Sequence, residues 1–152
     1  KVIDWSDFII NVVKADVSGL HTTRQVVTYH DPCHLRRGMG VWQEPRKILN
    51  DLPDVEFREM SKPNRCCGSA GSFSLTHYDL SMDIQHEKCK DVENTGADVI
   101  VTGCGSCMMQ LTDGQKRFGG HCKVKHTVEI LSEAYENAER EERIGRMKAI
   151  TK

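Results

Sequence analysis

The chain has 152 residues, with 21 lysines and arginines against 22 aspartates and glutamates, for a formal net charge of −1. This length fits one domain with its own hydrophobic core, and the balanced charge excludes the basic footprint typical of nucleic-acid-binding proteins. No run approaches the roughly 18 consecutive apolar residues of a membrane-spanning helix, and no basic stretch followed by an apolar core suggests a signal peptide. We therefore expect a soluble, cytoplasmic protein without a transmembrane segment or a nucleic-acid partner.

The start of the chain is typical of a fragment. Its first residue is Lys1 and its first methionine is Met39, so we expect one part of a longer polypeptide. Within it we expect three regions: an N-terminal helix and linker at residues 1–24, a cysteine-rich domain at 25–138 and a charged tail at 139–152.

The first part of the chain predicts two helices and two strands. Residues 1–13 have the apolar spacing of an amphipathic helix. The β-branched run Gln25–His30 predicts a strand, because an Asp-Pro pair stops it. A short helix and a second strand follow at 44–52 and 54–60.

The rest of the chain continues this alternation. Residues 73–95 contain no glycine or proline and predict one helix, the longest of the chain, which Gly96 ends. The continuous apolar run at 97–103 is typical of a buried parallel strand. A short helix, a fourth strand and a terminal helix follow at 106–119, 122–126 and 127–143, and the charged residues after 143 are expected to fray.

Alternating strands and helices indicate the fold class. Right-handed crossovers between successive strands give a parallel sheet covered on both faces. We therefore predict an α/β fold with a short parallel sheet of about four strands in a Rossmann-like three-layer arrangement. In such sheets the loops beyond the strand C-termini form the ligand-binding edge.

Five of the seven cysteines follow three different predicted strands. Without an export signal, clustered cysteines indicate a metal or redox chemistry before structural disulfides, and the odd total weakens a fully paired framework. The remaining two, Cys89 and Cys122, are expected to be core or surface residues. The five that should meet at the sheet edge are Cys33, Cys66, Cys67, Cys104 and Cys107.

Gathering five thiolates is costly unless a metal centre takes up their charge. One zinc ion is satisfied by four ligands, whereas an iron-sulfur centre with several irons can use all five, provided that its sulfurs find amide donors and room. The small residues after the paired cysteines, and the Cys-x-x-Cys turn, supply such donors. We predict cofactor contacts at Gly68, Gly71 and Gly105.

Other interpretations of the thiols stay open at this point. Four of the five could hold a structural zinc ion. Cys104 and Cys107 alone could form a thioredoxin-like redox pair, and Cys66 and Cys67 could be an ordinary structural or oxidation-prone pair. Residues 68–72 lack the lysine that would complete a phosphate-binding P-loop.

Polar side chains near the cysteines are expected to have supporting roles. His30, His34 and His126 lie beside the first cysteine or at a strand end, where tuning a centre from outside its ligand shell is a commoner role than ligation. Arg36 and Arg37 could offset cluster charge or hold an anionic partner, although a solvated pair is the simpler interpretation.

Three motifs carry a resemblance to a known family. The stretches "HDPCHLRRG", "CCGSAGSFSLTH" and "TGCGSCMMQL", in this order and spacing, resemble the cysteine-rich CCG domain of heterodisulfide reductase and of the iron-sulfur subunits of glycolate- and lactate-oxidising enzymes. The similarity covers roughly residues 26–134. The flanking "MQLTDG" and "HTVEIL" resemble the glycolate oxidase protein more closely, although many of its relatives lack one cysteine of the last pair.

The resemblance implies a function and a ligand set. Family members pass electrons between a flavin partner and an acceptor, usually with two such domains and further iron-sulfur domains. In the heterodisulfide enzyme the five cysteines of each motif hold a noncubane [4Fe-4S] cluster that cleaves a disulfide. By position, the ligands here would be the five cysteines above; this chain carries one copy of the motif.

We therefore expect an electron-transfer domain of a flavin-linked 2-hydroxy-acid oxidoreductase, with peripheral membrane contact through its partners as one option. The alternatives are a domain that reduces disulfides itself and a zinc-stabilised domain for subunit assembly. An isolated fragment can lose its cluster in air.

Overall fold

The structure is a computed structural model that describes residues 2–150, apart from the side chains at positions 145, 147, 149 and 150. Lys1, at the start of the predicted first helix, and Thr151 and Lys152, at the end of the predicted tail, lie outside the described residues. Within this range no helix is both long and apolar enough to cross a membrane.

The predicted parallel sheet is confirmed. Its four strands all run parallel in the spatial order β2-β1-β3-β4. The strands are β1 (Gln25–His30), β2 (Val55–Phe57), β3 (Val99–Thr102) and β4 (Lys123–His126).

The register of the sheet aligns the strand ends. His30 pairs with Thr102, and Thr102 pairs with His126, so β1, β3 and β4 end side by side. β2 leaves the sheet earlier, at Phe57, because the following segment turns to the helix layer: Met60 is buried in the core there. The loops that carry the cysteines therefore begin at one edge.

One face of the sheet is covered by three helices. The first begins as α1 (Trp5–Asp7) and continues as a π-helical segment (Phe8–Val13), and α2 (Gln43–Asp51) and α6 (Thr127–Ile150) lie beside it. Their apolar side chains pack on a core whose strand residues are Val27, Tyr29, Val55, Val99 and Val101. This layer contains no cysteine of the predicted site.

The opposite face is covered by α4 (Tyr78–Glu93) and α5 (Gly105–Arg117). Its core joins Val92 of α4, Ile100 of β3 and Leu111 of α5. Cys67 and Cys107 belong to the same core, so the candidate site is built on this side of the sheet.

The helix predicted at 73–95 is wrong in its continuity. The segment forms a short α3 (Phe73–Thr76) and then α4, interrupted at His77, whose φ of −133° and ψ of 56° are not helical. The His77 ring stacks on Phe73 with 5.0 Å between centroids and lies 2.9 Å from the Thr76 hydroxyl. These local contacts stabilise the break.

The prediction that this helix is the longest is also wrong. Among the described helices α6 is longest, with 24 residues against 16 in α4. The charged segment predicted to fray from position 144 stays helical to Ile150. An ion pair between Arg146 and Glu142, four residues apart, supports it.

A further helical segment lies outside the predicted elements. His34–Met39 forms a π-helical turn directly after Cys33, and Gly40 ends it in the left-handed region at a φ of 74°. Cys33 precedes the turn as its N-cap residue, and the turn itself carries His34 and Arg37 at the sheet edge.

Candidate metal centre

One cavity of about 390 Å³ brings the five predicted thiols together. It lies beyond the C-terminal ends of the strands, between the loops that follow β1, β2 and β3. Its cysteine lining consists of Cys33, Cys66, Cys67, Cys104 and Cys107. The convergence expected from the strand order is thus present, while the ligand role of these residues stays a prediction.

The thiols form a gradient from the floor of the cavity to its mouth. Cys67 and Cys107 are only 2% and 7% exposed. Cys104 is half-buried as the N-cap residue of α5, whereas Cys33 and Cys66 are exposed. A metal centre in the cavity would therefore be bound by the buried thiols of Cys67 and Cys107 and would stay accessible on the side of Cys33 and Cys66.

Gly68 fixes the loop of the paired cysteines. Its φ of 100° lies in the region that favours glycine, and a Cβ there would lie 2.6 Å from the backbone oxygen of Ser81. Its amide donates to the Cys66 sulfur at 3.3 Å, and its carbonyl accepts from the Ser81 hydroxyl at 2.8 Å. The predicted amide donor to sulfur is present at this position.

The other predicted cofactor-contacting glycines differ. Gly71 lines the cavity. Gly105 begins α5 and is not among the lining residues. The loop is instead tied to α5 by the hydroxyl groups of Ser69 and Ser106, which lie 2.7 Å apart.

Lys88 and Asp91 form a buried ion pair on α4 that anchors the segment before the paired cysteines. The carboxylate of Asp91 accepts hydrogen bonds from the amides of Ser61 and Lys62, each at 3.0 Å. Lys88 is completely buried and donates from Nζ to the Lys62 carbonyl at 2.6 Å. The segment is thus clamped to α4.

A second clamp joins the β1 loop to the same segment. The Asp31 amide donates to the carbonyl of Pro63 at 3.1 Å. The buried Asp31 carboxylate accepts from Arg36 and, at 2.7 Å, from Arg46. The loops carrying Cys33 and the paired cysteines therefore share one framework.

The prediction of a solvated arginine pair is wrong for Arg36. Its guanidinium pairs with Asp31 and lies 4.7 Å from the centre of the Trp42 ring. The buried carboxylate attracts it away from solvent. Arg37 is exposed and lines the mouth of the cavity.

The two paired cysteines, Cys66 and Cys67, have raised pKa values. The hydrogen bond with Cys107, together with burial, raises the pKa of Cys67 to about 12. The hydrogen bond with Cys67, followed by burial, raises the pKa of Cys66 above its ordinary value. The five thiols that line the cavity fit a thiolate-ligated metal centre, and a bound cation would displace the protons of Cys66 and Cys67.

His30 is the site residue that sequence reasoning undervalued. It is 1% exposed, lines the cavity, and has a ring nitrogen that lies within 4.8 Å of the sulfurs of Cys67 and Cys107, as those sulfurs do of each other. Burial, reinforced by the positive charge of Lys88, lowers its pKa to about 3. Its position as the last residue of a buried strand was the available signal.

The remaining predicted residues separate into two groups. His34 lines the cavity. His126 lies outside the lining, where its Nδ1 accepts from the Val128 amide at 3.2 Å. Cys89 and Cys122 are buried outside the cavity, as expected for core residues.

Comparison with known proteins gives both a family and several relatives. The CCG cysteine-rich domain model matches residues 27–112. One component of the fumarate reductase (CoM/CoB) from Methanothermobacter marburgensis is 37% identical over 136 residues, which are 89% of this chain and 27% of that protein.

Two further relatives are named as parts of redox enzymes. One component of the dihydromethanophenazine:CoB–CoM heterodisulfide reductase from Methanosarcina barkeri is 33% identical over 88% of this chain and 34% of its own length. A probable glycolate oxidase iron-sulfur subunit of Bacillus subtilis is 37% identical over 88% of this chain and 31% of its own length. The chain thus spans about a third of the length of these curated relatives.

The family match extends over more than half of the chain and includes all five cysteines of the cavity. The chain belongs to the CCG family of cysteine-rich domains.

Proposed function

We propose that this chain binds an iron-sulfur cluster and transfers electrons within an oxidoreductase. The main support for this proposal is that five thiols from the ends of three strands converge on one cavity. The proposed ligands are Cys33, Cys66, Cys67, Cys104 and Cys107.

The surroundings of the thiols support a cluster over a single ion. Five thiolates exceed the four ligands that satisfy one zinc ion, and a cavity of about 390 Å³ leaves room for several atoms. The Gly68 amide already donates to the Cys66 sulfur, and such hydrogen bonds tune the potential of iron-sulfur centres. When bound, a cluster of this kind accepts and releases single electrons.

The residues of the chain have separable tasks in this function. The floor thiols Cys67 and Cys107 hold the cluster where burial excludes water. The clamps at Asp31 and Asp91 keep the two cysteine loops at a fixed separation. The exposed Cys33 and Cys66 leave one side of the cluster within reach of a redox partner.

We further propose that the cluster contains four irons and that the electrons come from a flavin-containing dehydrogenase partner acting on a 2-hydroxy acid. The relative named as a glycolate oxidase iron-sulfur subunit supports the substrate class. Further iron-sulfur domains, and a cytoplasmic site with peripheral membrane contact through partners, belong to the same proposal.

A second candidate is disulfide reduction at the cluster itself. It is favoured by the open side of the cavity, where Arg37 is exposed and able to hold an anionic substrate, and by the relative named as part of a heterodisulfide reductase. Zinc binding for assembly is the third candidate, since the buried Cys67, Cys107 and His30 could hold one ion.

Metal analysis separates the redox candidates from zinc. After anaerobic purification we expect about four irons and matching acid-labile sulfide per chain, with an electron paramagnetic resonance signal. Cys67→Ser should lose or alter the signal, while the matched variant Cys89→Ser, at a buried thiol outside the cavity, should retain it. One retained zinc ion with no iron contradicts the proposed function.

Electron transfer separates the two redox candidates. Reduction of the cluster by a flavin-containing 2-hydroxy-acid dehydrogenase, followed as bleaching of its visible absorption, is expected for the first. Turnover of a small anionic disulfide by the reduced domain alone, lost in Arg37→Ala with its iron content unchanged, would favour the second.

A further inference from the structure

We propose that His30 is an additional ligand of the metal centre and coordinates it through an imidazole nitrogen together with the sulfurs of Cys67 and Cys107. This inference rests on the proposed function and refines the ligand set of the same site. It adds a nitrogen donor to a centre otherwise built from thiolates.

The geometry of the three side chains supports coordination. Their donor atoms all lie within 4.8 Å of one another, and all three residues are buried. A metal with nitrogen and sulfur ligands at usual bond lengths places such donors about 3.5 to 3.8 Å apart. Separations at the 4.8 Å limit would therefore have to shorten by about 1.3 Å at most, which side-chain rotation can supply.

The backbone directs the imidazole to this place. His30 is the last residue of β1 and is paired in register with Thr102 of β3. Thr28 and His30 share a side of the strand, since side chains alternate, opposite to Val27 and Tyr29, which pack against the other helix layer. The ring therefore lies on the side of α5 and the cysteine loop, where Cys107 and Cys67 are.

The hydrogen-bonding state of the ring is the second observation. Nδ1 of His30 is buried and makes no hydrogen bond of normal geometry within the described part of the chain, although the ring lies near the Pro63 backbone. Buried polar atoms nearly always have a partner, so this nitrogen is explained if the occupant of the cavity supplies one. An imidazole nitrogen offers a lone pair to a metal.

Nitrogen ligation has a functional consequence. Replacing thiolate by imidazole donors raises the reduction potential of iron-sulfur centres, as histidine-ligated clusters illustrate. Because an imidazole carries no negative charge, this gain applies where His30 binds an iron that would otherwise need a further thiolate.

The direct test is pulsed electron paramagnetic resonance on the anaerobically prepared, reduced protein. We expect a nitrogen hyperfine coupling of the size of a bound imidazole, which changes isotope pattern after ¹⁵N-histidine labelling and disappears in His30→Gln. His126→Ala, at the end of β4 and outside the cavity, should keep the coupling. Only a weak coupling typical of a hydrogen-bonded nitrogen, or loss in His34→Ala instead, overturns the proposal.

A second measurement does not depend on the cluster. Metal-free protein is titrated with Co²⁺, whose absorption reports its nitrogen and sulfur ligands. His30→Gln should weaken Co²⁺ binding at least about tenfold, since even residues outside the ligand shell contribute that much, with the fold checked by circular dichroism. Unchanged Co²⁺ affinity and spectrum refute His30 ligation, whereas absence of iron alone refutes only the proposed function.

Discussion

Replacing Gly68 by alanine should damage the cysteine loop more than any other glycine substitution near the site. The residue has a φ of 100°, and a Cβ there would lie 2.6 Å from the Ser81 backbone oxygen and 3.1 Å from Nε2 of Gln110. The Gln110 side chain can move, but the Ser81 oxygen belongs to the backbone of α4. The loop itself must therefore shift.

The expected cost has two parts. Placing a side chain at positive φ costs about 1–2 kcal/mol, and forcing atoms into an occupied space adds about 1–3 kcal/mol. Gly68→Ala should thus lower the free energy of unfolding by about 2–5 kcal/mol, a large share of the roughly 5–15 kcal/mol available to a domain.

Two glycines of the same region provide matched controls. Gly71 has a φ of 64°, but a Cβ added there would have no other atom within 4 Å, so Gly71→Ala should cost only about 1–2 kcal/mol. Gly105 has neither constraint and begins a helix, so Gly105→Ala should be neutral within about 0.5 kcal/mol.

Urea unfolding of the metal-free variants measures these differences, provided that the slope with denaturant is unchanged. Iron content after anaerobic reconstitution reports the site, and it should fall most for Gly68→Ala. If Gly68→Ala is no less stable than Gly71→Ala, the close approach to α4 does not constrain the loop and this explanation is refuted.

Three further predictions concern charge and protons. Asp31→Ala should lower the free energy of unfolding by about 1.5–3 kcal/mol, because it removes the buried carboxylate that pairs with both Arg36 and Arg46. Glu59 is exposed and also pairs with Arg46, so Glu59→Gln should cost about 1 kcal/mol or less; equal losses in denaturant titrations would contradict this. Burial alone would raise the pKa of Asp91, but hydrogen bonds from Ser61 and Lys62 outweigh burial and lower that pKa. The ionised Asp91 carboxylate therefore stabilises the fold above about pH 4, and this stabilisation is lost as the pH falls through the folded-state pKa. The stability difference between wild type and Asp91→Asn should accordingly shrink in acid, and a difference that persists there argues against the clamp. Since the pKa values of Cys66 and Cys67 are raised, metal uptake near pH 8 should release their protons and tighten with rising pH, which calorimetry in buffers of different ionisation enthalpy can measure; pH-independent binding would count against thiolate ligation.

The sheet and the meeting of the thiols could be predicted because they depend on local signals. The run Gln25–His30 is β-branched, is stopped by an Asp-Pro pair, and forms a strand with those bounds. Parallel order then places the residues after each strand at one edge. That is sufficient to bring Cys33 and Cys104 into the same cavity.

What could not be predicted depends on contacts between distant segments. The break at His77 is stabilised by ring stacking on Phe73, and the position of Arg36 depends on the buried carboxylate of Asp31. His30 is shielded from solvent by the loop of the paired cysteines and by α5, both of which come later in the chain. Sequence spacing contains little information about such environments.

The wide spacing of the thiols also determines when the site can exist during biogenesis. The cysteines of the cavity extend from Cys33 to Cys107, and β1 must pair with β3, as in the register of Val27 with Val99, before the two ends meet. Such non-local pairing is slow compared with local helix formation, so no short nascent segment can present the complete set of thiols. The complete set of thiols therefore exists only once β3 and the loop after it have been synthesised and have met β1, and Cys33 and Cys66 are the members of the set that stay exposed in the folded domain.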